Sequence, residues 1–231
     1  MKTYLDCIPC FFRQGLDTAR MTTQDKKIQK NILDEIAMVI PEFPLLMAIK
    51  IAIAGNVIDF GVNEVRNKIN IEKELKNTLK QDFAFFDYDK LKNSLEETEE
   101  VLYLGDNTGE IAFDRILIEE LQKKVIYVVR EKPIINDVTI EDALFCGIDK
   151  IAKVISSGCD ALGTILRYCS KEFLNYYTKT KLIISKGQGN YETLSEEKKP
   201  IFFLLKAKCP IIARDLGCGV GDIILKAQSL K

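Results

Sequence analysis

From Val101 onward the chain is a succession of short, unbroken apolar runs separated by amphipathic stretches, and this alternation leaves few folds open. The runs are VLYLG (101–105), VIYVV (125–129), KVIS (153–156), KLIIS (181–185), IFFLL (201–205) and PIIA (210–213), β-branched or aromatic and of strand length. Strands that are apolar on successive residues are buried on both faces. Helical stretches over 110–124 and 138–148 separate the early runs, so the spacing predicts β-α-β-α units and an α/β fold, a mostly parallel sheet flanked by helices. The last two runs lie too close together for a crossover, which predicts an antiparallel pair at one edge.

The earlier part of the chain has another period. Ile28, Ile32, Ile36 and Ile40 recur every four residues, the spacing of a helix face. Pro44 suits the first turn of a further helix running through Leu45, Ile49 and Ile53 to a stop near Gly55. Residues 88–100 read as a solvated helix leading into the strands. The sequence therefore divides into a helical N-terminal region over 1–95, placed as a cap, and an α/β domain over 96–231, which 231 residues accommodate.

Composition narrows the chemistry. The chain has no histidine, which removes Ser-His-Asp and Cys-His catalysis, histidine-ligated zinc and the commonest general base. Carboxylate, amide, lysine and thiol chemistry remain. With 33 Lys+Arg against 34 Asp+Glu the net charge is −1, so no nucleic-acid or membrane partner is expected and an anionic ligand must be held locally. The longest apolar stretch, 45–54, is broken by Lys50 and falls short of the roughly 20 residues of a membrane helix. The start MKTYLDCIPCFFRQG lacks a signal-peptide core, which leads us to expect a cytoplasmic protein. Seven cysteines, thinly spread, argue against a disulfide framework.

An open parallel sheet binds ligands outside the carboxyl ends of its strands. After the first run comes Gly105-Asp106-Asn107-Thr108-Gly109-Glu110, ahead of a helix; Asp106 and Asn107 offer oxygen ligands, and the helix start offers N–H groups to an anion. After the second comes Arg130 through Thr139, with Asn136 and Asp137 in the loop and Thr139 with Asp142 as a capping pair. A right-handed crossover sets this loop beside the first, so Asp106, Asn107 and Asp137 form a candidate ligand set for Mg²⁺ or Mn²⁺. A third loop, Ser185 to Glu192, brings Lys186, Gln188 and Asn190 around two glycines as an oxyanion cradle. The fourth, Lys206-Ala207-Lys208-Cys209, offers a lysine to phosphate.

Each feature also has a plainer reading. Asp106-Asn107 makes an ordinary Asx turn, Asp137 a helix start, Lys206 and Lys208 edge-strand gatekeepers, and Asn56 a helix C-cap. Cys7-Ile8-Pro9-Cys10 has neither the second ligand pair zinc needs nor the strand that precedes a thioredoxin-like motif. It is read first as buried and structural, then as a redox or metal pair joined by Cys209.

Six motifs in order carry a resemblance across nearly the whole chain: CIPC, AGNVIDFG (54–61), LGDNTGE (104–110), REKPIINDVT (130–139), SKGQGNYETL (185–194) and KAKC (206–209). Together they resemble the DUF89 proteins, the damage-control phosphatase or ARMT1-like metal-binding family, in its short archaeal and bacterial type. The resemblance implies a Rossmann-like α/β domain with a helical N-terminal region, and a phosphatase of small phosphorylated metabolites, including sugar phosphates. It implies a divalent metal, Mn²⁺, Co²⁺, Ni²⁺ or Mg²⁺, on Asp106, Asn107 and Asp137. Asp106, Asp137 and Lys208 are then the candidate catalytic residues, with Lys206 the alternative lysine, and Asn56, Glu110, Arg130, Lys186, Gln188 and Asn190 the candidate substrate-binding residues. Water attack is expected, with Asp137 or Glu110 moving the proton, because the Asp-x-Asp of an aspartyl-phosphate route is missing. Rival readings are an S-adenosylmethionine-dependent carboxyl methyltransferase and a non-enzymatic metal or redox-sensing module at Cys7 and Cys10.

Overall fold

A computed structural model describes residues 44–55 and 77–228. Among them the chain builds a seven-stranded sheet in the order β1-β7-β6-β5-β2-β3-β4, with β1 Phe83–Phe86, β2 Glu100–Leu104, β3 Lys124–Val129, β4 Lys153–Ser156, β5 Ile183–Lys186, β6 Ile201–Lys206 and β7 Ile223–Ala227. Every neighbouring pair is parallel except β6 and β7. The helices are α1 Pro44–Gly55, α2 Tyr88–Glu96, α3 Ile111–Leu121, α4 Ile140–Phe145, α5 Lys171–Lys179, α6 Gln188–Leu194 and α7 Pro210–Leu216. No helix among the described residues is long and apolar enough to cross a membrane.

The strands are apolar on successive residues because each face has its own core. On β2, Val101 and Tyr103 enter one cluster with Ile49, Ile53, Leu117 and Leu121, whereas Leu102 and Leu104 enter the other with Phe173, Tyr177, Tyr191 and Leu194. The two-residue period of a strand thus sends alternate side chains to opposite helical layers. At about 1.5–3 kcal/mol for each fully buried large apolar side chain, these layers fix the sheet on which the site rests. Helix α1 packs on α3, and Lys50 anchors it by donating to the carbonyls of Leu79 and Gln81.

Two sequence expectations are corrected. PIIA is the start of α7 and not a strand: Pro210 occupies the first helical turn, where its missing N–H costs nothing, and Gly217 ends the helix at φ 75°. The antiparallel partner of β6 is β7, and the pair is not at the edge, since β1 lies outside β7. Strand β1 precedes residue 96 and is nevertheless a strand of this sheet. Of the proposed cap over 1–95, only 44–55 and 77–95 fall among the described residues.

Candidate active site

Two loops at the carboxyl ends of β2 and β3 are bonded to each other along their backbones. Val138 N donates to Asp106 O at 2.8 Å and Thr108 N to Asn136 O at 2.8 Å, while Asn107 faces Asp137 across an isolated antiparallel bridge. Asp106, Asn107 and Asp137, distant in sequence, are therefore brought together, all three buried. The expected capping pair on α4 is present, with Asp142 Oδ2 accepting from Thr139 N at 3.0 Å and from Thr139 Oγ1 at 2.7 Å.

Each site carboxylate has a defined neighbour. Asp106 Oδ2 accepts from Asn107 Nδ2 at 2.9 Å. Asp137 Oδ2 accepts from Arg130 Nε at 2.7 Å, and the same guanidinium reaches Thr164 Oγ1 at 3.1 Å and Asn190 Oδ1 at 3.0 Å. Asn190 Nδ2 in turn donates to Lys186 O at 2.8 Å and Gly105 O at 3.2 Å. Arg130 and Asn190 thus tie the start of α6, where the sequence suggests a glycine loop over 185–192, to the first two loops. The fork geometry of arginine allows this three-way contact, which a lysine ammonium does not reproduce.

Lys186, a candidate substrate-binding residue, points into the interior. Its ammonium is fully buried between Glu110 Oε2 at 2.9 Å and Asp114 Oδ1 at 2.5 Å. Burial opposes the Lys186 charge, but Asp114 and Glu110 more than offset it and raise its pKa, so it stays protonated. Burial lifts the Asp114 carboxyl to about 6, Lys186 pulling it down and Glu110 pushing it up. Tyr103 and Tyr127 donate to the two oxygens of Asp114 at 2.7 and 2.9 Å. Their own pKa values are raised by burial and then by Asp114, so both remain donors. Glu110, expected to meet substrate or move a proton, faces Lys186 on one oxygen and accepts the Asn107 N–H on the other at 2.9 Å.

The helix start is less open to an anion than the sequence suggests. The N–H groups of Asn107, Thr108 and Glu110 are bonded to Glu110 Oε1, Asn136 O and Asn107 O. The positive charge that acts on Asp106 comes instead from Lys208 and Arg130, both of which lower its pKa. Of the two lysines of KAKC, Lys208 is among the groups that act most strongly on Asp106. Gln188 braces this loop by accepting from Lys208 N at 3.2 Å, while its amide nitrogen donates to Glu192 Oε1 at 2.8 Å. Asn56, Cys7 and Cys10 lie outside the described residues, although α1 delivers Gly55 so close to α3 that an added Cβ would meet Phe113 Cδ2 at 2.8 Å, and Glu110 Cβ, just ahead of that helix, at 3.0 Å.

Among the described residues there is no cluster of three or more His, Cys, Asp or Glu side chains able to hold a metal. The donor set at the loops is two acids and an amide, all hard oxygen donors suited to a hard divalent cation. Burial first, then the charges of Glu110 and Asp137, push the Asp106 carboxyl up to about 7. A buried carboxylate raised by its acidic neighbours is the electrostatic state that a cation relieves, so the residues present fit a divalent metal.

Four residues outside the sequence expectations also surround these loops: Asp114, Tyr103, Tyr127 and Thr164. Asp114 follows Glu110 by four residues inside an apolar helical stretch, a one-face spacing that marks it. Tyr103 and Tyr127 are register partners on β2 and β3, hydroxyl-bearing rings in otherwise apolar strands. Thr164 carries no local signal, because only the tertiary fold sets it against Arg130.

Residues 41–224 match the model of the damage-control phosphatase ARMT1-like domain. The chain is 48% identical over 182 residues to the uncharacterized protein MJ0202 of Methanocaldococcus jannaschii, covering 75% of this chain and 59% of that protein. It is 43% identical over 190 residues to damage-control phosphatase PH1575 of Pyrococcus horikoshii, covering 80% and 66%. With a damage-control phosphatase of Archaeoglobus fulgidus it shares 39% identity over 192 residues, covering 79% and 65%. The chain thus spans between 59% and 66% of the length of these curated relatives. The crystal structure of a DUF89 family protein, PH1575 of P. horikoshii, superposes with a TM-score of 0.76 at 39% identity, covering 88% of this chain and 72% of that one. The family model extends over most of the sheet and both site loops, and the relatives agree with it in sequence and in fold: this chain belongs to the damage-control phosphatase ARMT1-like family, also called DUF89.

Proposed function

We propose that this chain carries the catalytic centre of a divalent-metal-dependent phosphomonoesterase acting on small phosphorylated metabolites, sugar phosphates among them. The observation that carries the reading is the pairing of the two loops, which gathers Asp106, Asn107 and Asp137 at the carboxyl rim of the sheet within the field of Lys208. Asp106, Asn107 and Asp137 would hold the metal, with Mn²⁺, Co²⁺, Ni²⁺ and Mg²⁺ as candidates. When bound, such an ion neutralises charge developing on a transferred phosphoryl group and makes water more acidic. Lys208 sets a point charge against the phosphate, and Gln188 holds the backbone from which that lysine departs. Arg130 keeps the Asp137 carboxylate oriented through Nε while Thr164 and Asn190 fix the rest of its guanidinium.

Two relatives bear the name damage-control phosphatase, which supports this reading over carboxyl methyl transfer, a rival that no feature of the loops favours. The redox-module rival rests on Cys7 and Cys10, outside the described residues. The test is phosphate release from p-nitrophenyl phosphate and from a panel of sugar phosphates with each of the four cations. Cation-dependent turnover that is lost in Asp106→Ala is expected; turnover unaffected by chelation, or full activity in Asp106→Ala, would overturn the proposal.

A further inference from the structure

We infer that Asp114, acting through Lys186 and Glu110, is a positioning residue for the Asp106–Asn107 loop, an inference that rests on the metal-phosphatase reading of that loop. The contacts form one continuous chain from β2 and β3 to the site. At its base, Tyr103 and Tyr127 stand side by side on β2 and β3, their rings stacked with centroids 5.4 Å apart. Their hydroxyls donate to Asp114 Oδ1 and Oδ2 at 2.7 and 2.9 Å. Asp114 Oδ1 and Glu110 Oε2 then share the Lys186 ammonium. At the far end Glu110 Oε1 accepts the N–H of Asn107 at 2.9 Å. That N–H belongs to the peptide joining Asp106 to Asn107, so the orientation of this one peptide plane governs where both side chains leave the backbone.

Asp114, Glu110 and Lys186 are all fully buried, and burying two carboxylates with one ammonium is a costly way to fill a core that leucine would fill. A hydrophobic filling at Glu110 would leave the Asn107 N–H without its acceptor, and one at Lys186 would leave Glu110 without its cation. The buried charges therefore do for the loop what packing cannot: they hold one peptide by directional bonds that originate in the neighbouring strands β2 and β3. In metal sites, partners that act one contact behind the ligands change metal affinity by about 10–100-fold when removed.

The experiment uses the full chain and two readouts, calorimetric titration with Mn²⁺ and hydrogen exchange of the Asn107 amide in metal-free protein by NMR. Asp114→Asn, which touches no ligand itself, is expected to weaken Mn²⁺ binding by about threefold or more, below the about 10–100-fold of a partner bonded directly to a ligand, and to speed Asn107 amide exchange by at least about tenfold, with the amides of β6 unchanged. A purely structural role would move all core amides together and leave the Asn107 amide no worse than its neighbours. Tyr127→Phe, which deletes a single hydroxyl, keeps the inference testable if Asp114→Asn does not fold, and the same changes are expected in smaller measure. Unchanged Mn²⁺ affinity together with unchanged Asn107 exchange in a folded variant overturns the inference. Wild-type protein that binds no Mn²⁺ overturns the metal reading instead, and selective loss of Asn107 protection in the variants would then still uphold the positioning chain.

Discussion

Gly187 leaves open the volume that the Asp106 carboxylate fills: a Cβ built on it would stand 1.8 Å from Asp106 Oδ2 and 2.2 Å from Asp106 Cγ. Its φ of +78° is a second reason for glycine, because side chains of L-residues are strained there. The glycine of the third loop thus sets the position of an acid in the first.

The first prediction concerns that contact. Gly187→Ala must displace either the acid or the strand end, so kcat/KM on p-nitrophenyl phosphate is expected to fall by about 100-fold or more. A cost of about 1–3 kcal/mol in stability from the strained backbone is expected alongside. Steady-state kinetics and urea unfolding read both, and an alanine variant with activity within twofold of wild type would show that Asp106 need not sit where Gly187 lets it.

Stability should depend on pH in a direction set by Asp106. Its carboxyl, raised to about 7 by burial, then Glu110 and Asp137, keeps its proton in the folded chain between about pH 4 and 7, where the unfolded chain has released it. The folded state binds more protons in this window, so its stability falls as pH rises through it, by at most about 4 kcal/mol from this group. Urea unfolding in EDTA is expected to show lower stability at pH 8 than at pH 5, with Asp106→Asn weakening the difference and Mn²⁺ restoring stability at pH 8. A metal-free protein more stable at pH 8 than at pH 5 would contradict this account.

Arg130→Lys is expected to be far from conservative. The three side chains that the guanidinium holds, Asp137, Thr164 and Asn190, lose their common partner, and the buried acceptors left over cost about 1–3 kcal/mol. A drop in the unfolding midpoint and a loss of about 10–100-fold in kcat/KM are expected. A lysine variant indistinguishable from wild type in both would refute the orienting role of Arg130.

The two lysines of KAKC should separate cleanly. Lys208→Ala removes one of the two cationic charges that act on Asp106 and is expected to raise KM for phosphomonoesters by about tenfold or more, an effect that shrinks at high salt. Lys206→Ala, at the end of β6 opposite Ile223, is expected to change KM by less than about threefold. The reverse ranking in a KM comparison would reassign the phosphate contact.

Much of this protein is legible along the chain, because the information is local. Runs such as VLYLG and VIYVV specify strands buried on both faces, Pro44 and Gly55 bracket α1, and the crossover rule alone places the Asp137 loop beside Asp106. PIIA misleads because four apolar residues suit a strand or a helix equally, and only Pro210 at the first turn with Gly217 at the last decides for α7. Tertiary structure alone decided which polar residues are spent on holding one another in place. The stretch around Lys186 and Asn190 reads as a glycine-rich oxyanion cradle, yet Lys186 ends β5 and Asn190 lies in α6 with only Gly187 between the two elements, and their side chains turn inward to Glu110, Asp114 and Arg130. The physical reason is that a charge chooses its partners by distance through space and by exclusion of water, and neither is set until the strands and helices have packed.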